Sequence, residues 1–185
     1  MTVATINNGV IQLWGAPNPY GHNGDEYPVI VTGQQSFDPR YYTQPYTLTQ
    51  TADGVVQAYG SLVPQDLATV QTAKLADLKD DYDEAIQQPV SYTTKAGIMQ
   101  TFQGDDTAVA NLSKMLLAFQ GAGATPPGFY WVASDNTQVP FTYADMQGLA
   151  QAIGVNALTA FGNLQAKKAA VLAASTSAAV VDITW

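Results

Sequence analysis

The chain has 185 residues, and its 46% hydrophobic content is enough to build one sizeable domain or two small ones. Only 12% of the residues are charged and the formal net charge is −8, which argues against binding to nucleic acid or to an anionic membrane surface. There is no cysteine, so disulfides, thiolate catalysis and cysteine-based zinc sites are excluded.

The low charge also bears on the surface. Soluble domains usually carry about 25% charged residues. Here the surface is covered either by amides, hydroxyls and small residues or by other chains. The N-terminus lacks a basic stretch followed by an apolar run, and no apolar run approaches the roughly 20 residues of a membrane span. We therefore expect a protein that is made in the cytoplasm and does not insert into a membrane.

Residues 1–62 are predicted to form a β-rich, loop-rich region. Asn7-Asn8-Gly9 lies between β-forming residues, which is a strong signal for a hairpin. Residues 15–45 are rich in proline and glycine and predict a long ordered loop with one short strand at 29–31. A second hairpin is expected around Asp53-Gly54.

Six of the ten tyrosines lie in this region. Tyrosine is enriched at protein interfaces because it buries a large area and keeps a polar tip. Either these side chains line a small β core or they form an interface. The candidate interface residues are Tyr20, Tyr27, Tyr41 and Tyr42.

Residues 63–88 are predicted to connect the two parts of the chain, with a helix over 64–88 that starts near Pro64. Its apolar residues repeat at heptad-like spacing but cover fewer than two repeats, so they indicate a face packed on the chain's own core or a short seam. These residues are Leu75, Leu78, Tyr82 and Ala85. A run of acids in the second half is either a solvated face or a site for a cation or a basic partner. The acids are Asp77, Asp80, Asp81, Asp83 and Glu84.

Residues 89–185 predict a small α+β domain. A hairpin is expected over 90–102, followed by a helix over about 106–120 that is capped at Asp105. A second hairpin, turning at Asp135-Asn136, spans 129–141. Thr142 and Asp145 then have the spacing of a capping box at the start of a helix, with Asp in place of the usual Glu or Gln.

The helical pattern continues to about Ser175. Glycines disfavour a helix interior, so a bend or break is expected at Gly154-Val155-Asn156, giving two helices. One apolar face is predicted along both of them, formed by Met146, Leu149, Ile153, Ala157, Leu158, Phe161, Leu164, Lys168, Val171 and Leu172. The tail, 180–185, is β-prone. Burial of Trp185 is worth about 2–3 kcal/mol, so we expect it to dock on this domain or on a neighbour, as a further candidate interface residue.

These predictions together give an α+β protein in three parts. Residues 1–62 form a β-rich, loop-rich attachment region and residues 63–88 form a long connecting helix. Residues 89–185 form a small α+β domain with two hairpins and three to four helices.

Few residues indicate chemistry. His22 is the sole histidine, and with Asp25 and Glu26 it forms a weak metal-binding pattern that a solvated loop explains as well. Asp105-Asp106 is accounted for by helix capping. The phosphate-loop, dinucleotide, metalloprotease and nucleophile-elbow patterns are all missing from the sequence. We therefore predict a protein that is not an enzyme, with no catalytic residue, cofactor or metal.

Residues 70–185 resemble a domain of unknown function found in tail-fibre and other tail-associated proteins of tailed bacteriophages. The matching segments are 75–86, Phe102-Gln103-Gly104-Asp105, Trp131–Asn136, Val139–Met146, Lys167-Lys168 and Val181–Ile183. The pattern Trp-x-x-x-Asp-Asn followed by Val-x-x-Thr-x-x-Asp carries most of the likeness. The resemblance does not extend to residues 1–62, which we do not recognise.

The resemblance implies a structural virion protein of the tail, in a fibre, baseplate or tail tip. It would be made in the host cytoplasm, would bind other tail proteins and would form a homo-oligomer, with a trimer favoured. One alternative is an assembly chaperone for tail fibres. Another is a module that binds carbohydrate or a receptor, such as a host surface glycan, through Trp131, Asp135 and Asn136.

Overall fold

A computed structural model of the chain describes residues 2–7, 10–15 and 26–185. The strands are β1 (Val3–Asn7), β2 (Val10–Trp14), β3 (Glu26–Thr32), β4 (Tyr42–Thr43), β5 (Tyr46–Thr51), β6 (Gly54–Tyr59), β7 (Val63–Pro64), β8 (Val90–Thr93), β9 (Met99–Phe102), β10 (Tyr130–Val132) and β11 (Gln138–Pro140). The helices are α1 (Leu67–Ala85), α2 (Asp106–Phe119), α3 (Tyr143–Ala173) and α4 (Ser177–Val181).

The predicted α+β class is confirmed, with four helices and several small sheets among the described residues. Contacts divide the chain into two compact units. The first comprises Met1–Ala73 and Ser175–Val181, and the second comprises Lys74–Ala174 and Asp182–Trp185. The three-part division at residues 62 and 88 stays a prediction.

The first unit is built on a five-stranded sheet in the order β2-β1-β3-β6-β5. Strands β3 and β6 pair in parallel and the other neighbours are antiparallel. Both predicted hairpins are confirmed, β1–β2 and β5–β6, although Asn8 and Gly9 of the first turn lie outside the described residues. Gly54 is required in the second hairpin because a Cβ there would lie 2.4 Å from the carbonyl oxygen of Pro28.

The predicted start of the connecting helix is wrong by three residues. Pro64 belongs to β7, which pairs with β4 through Tyr42, and α1 begins at Leu67. Asp66 precedes the helix and accepts hydrogen bonds from the Thr69 amide at 3.0 Å and the Thr69 hydroxyl at 2.6 Å. A proline is tolerated in β7 because this strand belongs to a two-stranded sheet and has a free edge, where no amide donor is needed. The helix N-terminus is capped by Asp66 instead.

The core of the second unit lies between the hairpins β8–β9 and β10–β11 and the helices α2 and α3. Its buried residues are Phe102, Leu112, Ala133, Val139, Phe141, Met146, Leu149 and Ile153. Aromatic rings link these elements, with Phe102 and Phe141 edge to face at 5.3 Å and Trp131 at 6.4 Å from Phe141. Both hairpins, the Asp105 cap and the Asn136 turn, where φ is 66°, were predicted correctly.

The predicted break in the last long helix is wrong, because α3 runs without interruption from Tyr143 to Ala173. Gly154 and Gly162 lie on its exposed side with open space around them. Their low helix propensity destabilises the helix, and packing of other α3 residues offsets this. A continuous helix also changes the buried face. Ala160, Leu164 and Val171 continue it, whereas three residues predicted to do so are exposed. These three are Leu158, Phe161 and Leu172.

The chain end differs from prediction as well. Val180 and Val181 finish the short helix α4, and no strand forms over 182–185. Trp185 lies beside α1 in the second unit, where it borders two shallow hollows with Asp81. The Lys74 ammonium donates to the Ile183 carbonyl at 2.9 Å and holds the tail there. Trp185 therefore docks on its own chain, with 37% of its surface still exposed.

Candidate functional site

Asp145 is the one buried acid among the described residues, with 2% of its surface exposed. It stands in the first turn of α3, where Thr142 and Asp145 form both arms of a capping box. The Asp145 amide donates to the Thr142 hydroxyl at 3.1 Å, and the carboxylate accepts from the Thr142 amide at 2.9 Å and hydroxyl at 2.5 Å. The predicted capping box is confirmed.

The same carboxylate also binds the hairpin β8–β9. Its Oδ1 accepts from the Lys95 amide at 2.7 Å and, at 3.4 Å, from the Tyr92 hydroxyl. Lys95 lies in the loop between β8 and β9, so one side chain joins the hairpin to the start of α3. We call this group the Asp145 cluster: Asp145, Thr142, Tyr92 and the Lys95 amide.

The hydrogen bonds also determine the ionisation state of Asp145. Burial by itself raises the pKa of Asp145, but the donors on Thr142, Lys95 and Tyr92 outweigh it and hold that pKa below its ordinary value. Burial and the nearby carboxylate raise the pKa of Tyr92. The pair is therefore an ionised acid facing a neutral phenol, which stabilises the structure and leaves no proton poised for transfer near neutral pH.

Gly148 makes room for this arrangement. A Cβ at Gly148 would lie 2.3 Å from the Tyr92 hydroxyl oxygen and 2.7 Å from Cζ. The ring of Tyr92 therefore lies directly on the backbone of α3, between Phe102 and Phe141 at 6.5 and 6.1 Å. In the sequence, Gly148 looks only like a weak point in a helix, whereas in the fold it allows a close approach.

A groove of about 630 Å³ opens beside this cluster, between β8 and α3. We call it the β8–α3 groove. It is lined on one side by Val90, Ser91, Tyr92, Thr93 and Lys95 and on the other by Gly148, Gln151, Ala152, Val155, Asn156 and Thr159. Its size is within the range of ligand sites, and most of its polar groups are neutral amides and hydroxyls. The groove is the candidate binding site of the second unit.

Sequence reasoning missed most of this site. It predicted Asp145 as a cap but gave no role to Tyr92, Lys95 or Gly148, because their partners are about 50 residues away along the chain. The one available signal was local, namely the Thr-x-x-Asp spacing.

The tyrosines predicted as an interface are dispersed. Tyr41 is buried at 8% exposure, while Tyr27 and Tyr42 are half-buried in β3 and β4. Tyr20 lies outside the described residues, as do His22 and Asp25 of the weak metal pattern. Trp185 is placed beside α1, as described above.

Trp131 is half-buried in β10, between Phe129 and Phe141, with ring centroids 6.4 Å from each. Asp135 is at the hairpin turn, where its carboxylate accepts from the Thr137 amide at 2.9 Å. Beside Trp131 lies a hollow of about 290 Å³ that is lined by Gln103, Ala108, Asn111, Tyr130, Trp131 and Val132.

Across residues 2–7, 10–15 and 26–185, no three acids or histidines come close enough together to hold a metal ion. None of the helices described is long and apolar enough to cross a bilayer.

The second unit thus combines two hairpins, two long helices and a groove in an α+β fold. Residues 69–184 match a family described as Domain of unknown function (DUF4376), and the chain belongs to that family. The curated proteins contain no match to this chain. The solved structures contain none either.

Proposed function

We propose that this protein is a structural component of a bacteriophage tail, in a fibre, baseplate or tail tip, and that it acts by assembling with other tail proteins. It would be made in the host cytoplasm and reside in the virion. The resemblance of the Trp131–Met146 segment to tail-associated proteins supports the phage context. The scarcity of charged residues, 12% of the chain, supports a surface suited to other chains.

The observation that carries the assembly role is a partly exposed apolar stripe on α3, in which the ring of Phe161 also contacts Tyr82 of α1 at 6.5 Å. Leu158 is 70% exposed, Phe161 48% and Leu172 68%, and we call these three residues the α3 stripe. Leu158 and Leu172 are two heptads apart and Phe161 follows Leu158 by three residues, which is the spacing of a helix–helix seam. Large apolar side chains collected on one helix face mark an interaction surface.

We assign this stripe to contacts between copies of the chain, with a trimer favoured because tail fibres are usually trimers. In this arrangement residues 1–62 attach the protein to its neighbours, residues 63–88 connect, and residues 89–185 project and associate. The attachment region offers exposed apolar residues in its sheet, among them Ile30, Val31 and Tyr46. This role requires no catalytic residue, cofactor or metal.

The first experiment is quantitative mass spectrometry of purified particles, with the tail-tube protein as the internal standard. A structural component is present in a fixed ratio, in a multiple of three or six copies. Absence from finished particles together with abundance in infected cells would contradict the structural role and leave the assembly chaperone.

The second experiment tests the α3 stripe. The double variant Leu158→Glu and Leu172→Glu is expected to change a trimer into a monomer in light scattering coupled to size exclusion, since each carboxylate would be buried in the seam. Leu117→Glu is the matched control, because Leu117 is 74% exposed on α2 and lies outside the stripe. Equal masses for the wild type and the double variant would eliminate the stripe as the contact.

Receptor binding is a second candidate function, supported by the hollow beside β10. The exposed ring of Tyr130 and the amides of Gln103 and Asn111 are groups that bind sugars. Trp131 contributes to the core as well, so Tyr130→Ala is the cleaner variant. Loss of binding to host surface glycans by a folded Tyr130→Ala protein would establish this function.

A further inference from the structure

The edge of β8 that borders the groove has unused backbone groups. The Thr94 amide donates to the Ile98 carbonyl at 2.9 Å, which places Thr94 in a hydrogen-bonded pair. Hydrogen-bonded and outward-facing residues alternate in an antiparallel ladder, so Ser91 and Thr93 direct their N–H and C=O groups away from β9.

The opposite edge of the hairpin confirms this alternation. Thr101 pairs with Ser91, and its carbonyl points outward to accept from the Ser134 amide at 2.8 Å. That edge of β9 is therefore partly covered. The edge of β8 has no strand beside it in the described part of the chain, since β8 and β9 form a two-stranded sheet.

The floor of the groove matches the open edge. Ala152 and Val155 lie along one side of α3 and leave room for a strand beside the helix, whereas the ring of Tyr92 already covers Gly148. Beyond them, Gln151, Asn156 and Thr159 offer amides and a hydroxyl to the far side of an occupant. The four residues of β8 span about 13 Å, so the groove accommodates a strand of similar length.

We propose that the β8–α3 groove binds an extended peptide segment of another protein, which adds to β8 as a third strand. Ser91 and Thr93 are two residues apart and supply two donors and two acceptors at strand spacing, which an extended backbone matches. Lys95 is the one charged residue lining the groove, in a chain of net charge −8. The bound segment is therefore uncharged except for one carboxylate, which lies beside Lys95.

A second copy of β8 fits this groove poorly. In an antiparallel pair of identical strands, both copies turn the same face of the sheet to the same side. The face of β8 with Tyr92 already rests on its own α3. A second copy would bring its own α3 to the place that the groove floor occupies. An extended segment without such a helix avoids this steric conflict. The inference does not depend on the proposed phage origin of the protein.

The probe is a random library of short linear peptides, displayed on their messenger RNA and selected against the full-length protein. Enriched peptides are resynthesised, and their Kd values are measured by fluorescence anisotropy. A backbone scan follows in which each amide of one peptide is N-methylated in turn. Strand addition predicts that affinity is lost at every second residue and is kept at the residues between, because alternate N–H groups point to β8.

Two variants of the protein test the same contact. Thr93→Pro removes an outward N–H and no ladder bond, and it is expected to weaken binding about tenfold or more. Thr101→Pro is its matched control, since it removes an outward N–H from the far edge of the same hairpin and leaves binding unchanged. Val155→Arg fills the groove from exposed helix surface and abolishes binding, while Leu117→Arg on α2 preserves it. Circular dichroism verifies the fold of each variant.

Three results would overturn the proposal. One is a library selection that enriches nothing over the Thr93→Pro protein. Another is an N-methyl scan without alternation, which would indicate binding that does not use the edge. The third is a wild-type dimer that Thr93→Pro dissolves but Thr101→Pro does not, which would assign the edge to a second copy.

Discussion

Asp145 and Glu84 are both acids at helix ends, but they lie at opposite ends and in opposite surroundings. Asp145 is in the first turn of α3, buried, and receives four hydrogen bonds. Glu84 is exposed in the last turn of α1, where it follows a run of acids on the same helix. The helix dipole favours the first position and opposes the second.

The difference shows what makes an acid structural. Both side chains are carboxylic acids with the same ionised charge, and burial with matched donors separates the two sites. At Asp145, removing a donor or the charge leaves buried polar groups unpaired. At Glu84, water already solvates the side chain, so a change there acts only through weak, screened electrostatics. Substitutions that remove the charge at the two sites are therefore expected to change the free energy of unfolding by different amounts and in opposite directions.

The largest effect is expected for Asp145→Asn. The amide has nearly the shape of the carboxylate, but its NH₂ group would face donors on Lys95 or Thr142. We expect the free energy of unfolding to fall by about 3 kcal/mol. Urea denaturation measures it, with Asp135→Asn as the control because Asp135 lies in an exposed turn. Equal losses in the two variants would contradict a special role for the buried acid.

A smaller loss is expected when the ring beside Asp145 is displaced. Gly148→Ala places a methyl group against the Tyr92 ring, and overpacking of this kind costs about 1–3 kcal/mol. Gly154→Ala on the same helix has open space and is expected to stabilise the protein by up to about 1 kcal/mol. Thermal unfolding of the two variants tests the pair, and a shift of equal sign in both would disprove the close approach at Gly148.

These glycines also show how far the sequence predicts the fold. Signals within a few residues were read correctly: the Asp53-Gly54 and Asp135-Asn136 turns, the Asp105 cap and the Thr142–Asp145 box. The sequence could not separate Gly148 from Gly154, because the difference lies in Tyr92, which arrives from another element. A break was predicted at Gly154 since propensity was weighed without the tertiary contacts that override it.

The same limit applies to the candidate site. The α3 stripe was predicted as core, because a bent helix and a straight helix bury different faces of the same sequence. The open edge of β8 could likewise not be predicted from the sequence, since a hairpin signal specifies which strands pair but not what lies beside the pair. The groove depends on contacts between residues about 50 positions apart, which local patterns do not encode.

Acid titration provides a third test of Asp145. Its pKa is lowered in the folded protein, so its contribution to stability is present above the unfolded pKa, near 4, and is lost as the pH falls through the folded pKa. The stability difference between wild type and Asp145→Asn should therefore shrink as the pH is lowered from about 5. Urea denaturation at a series of pH values measures it.

This comparison of variants is necessary because other carboxylates titrate in the same range. Hydrogen bonds from Arg40, Thr69 and Thr137 lower the pKa values of Asp38, Asp66 and Asp135, respectively. Their contributions are common to wild type and variant and cancel in the difference. A difference that stays constant down to acid pH would mean that Asp145 stabilises the fold by shape alone.

The smallest effect, and one of opposite sign, is expected for Glu84→Gln. Neutralising an acid in the last turn of α1 relieves its repulsion with the helix dipole and with neighbouring acids, so stability should rise by about 0.3–0.5 kcal/mol. Asp106→Asn is the matched control, because Asp106 is an exposed acid in the first turn of α2 and its loss should lower stability by a similar amount. Both shifts are measured by urea denaturation at low ionic strength and should shrink in high salt. If both variants change the free energy of unfolding in the same direction, the position of an acid along a helix does not decide whether it stabilises. The contrast between Asp145 and Glu84 would then be due to burial alone.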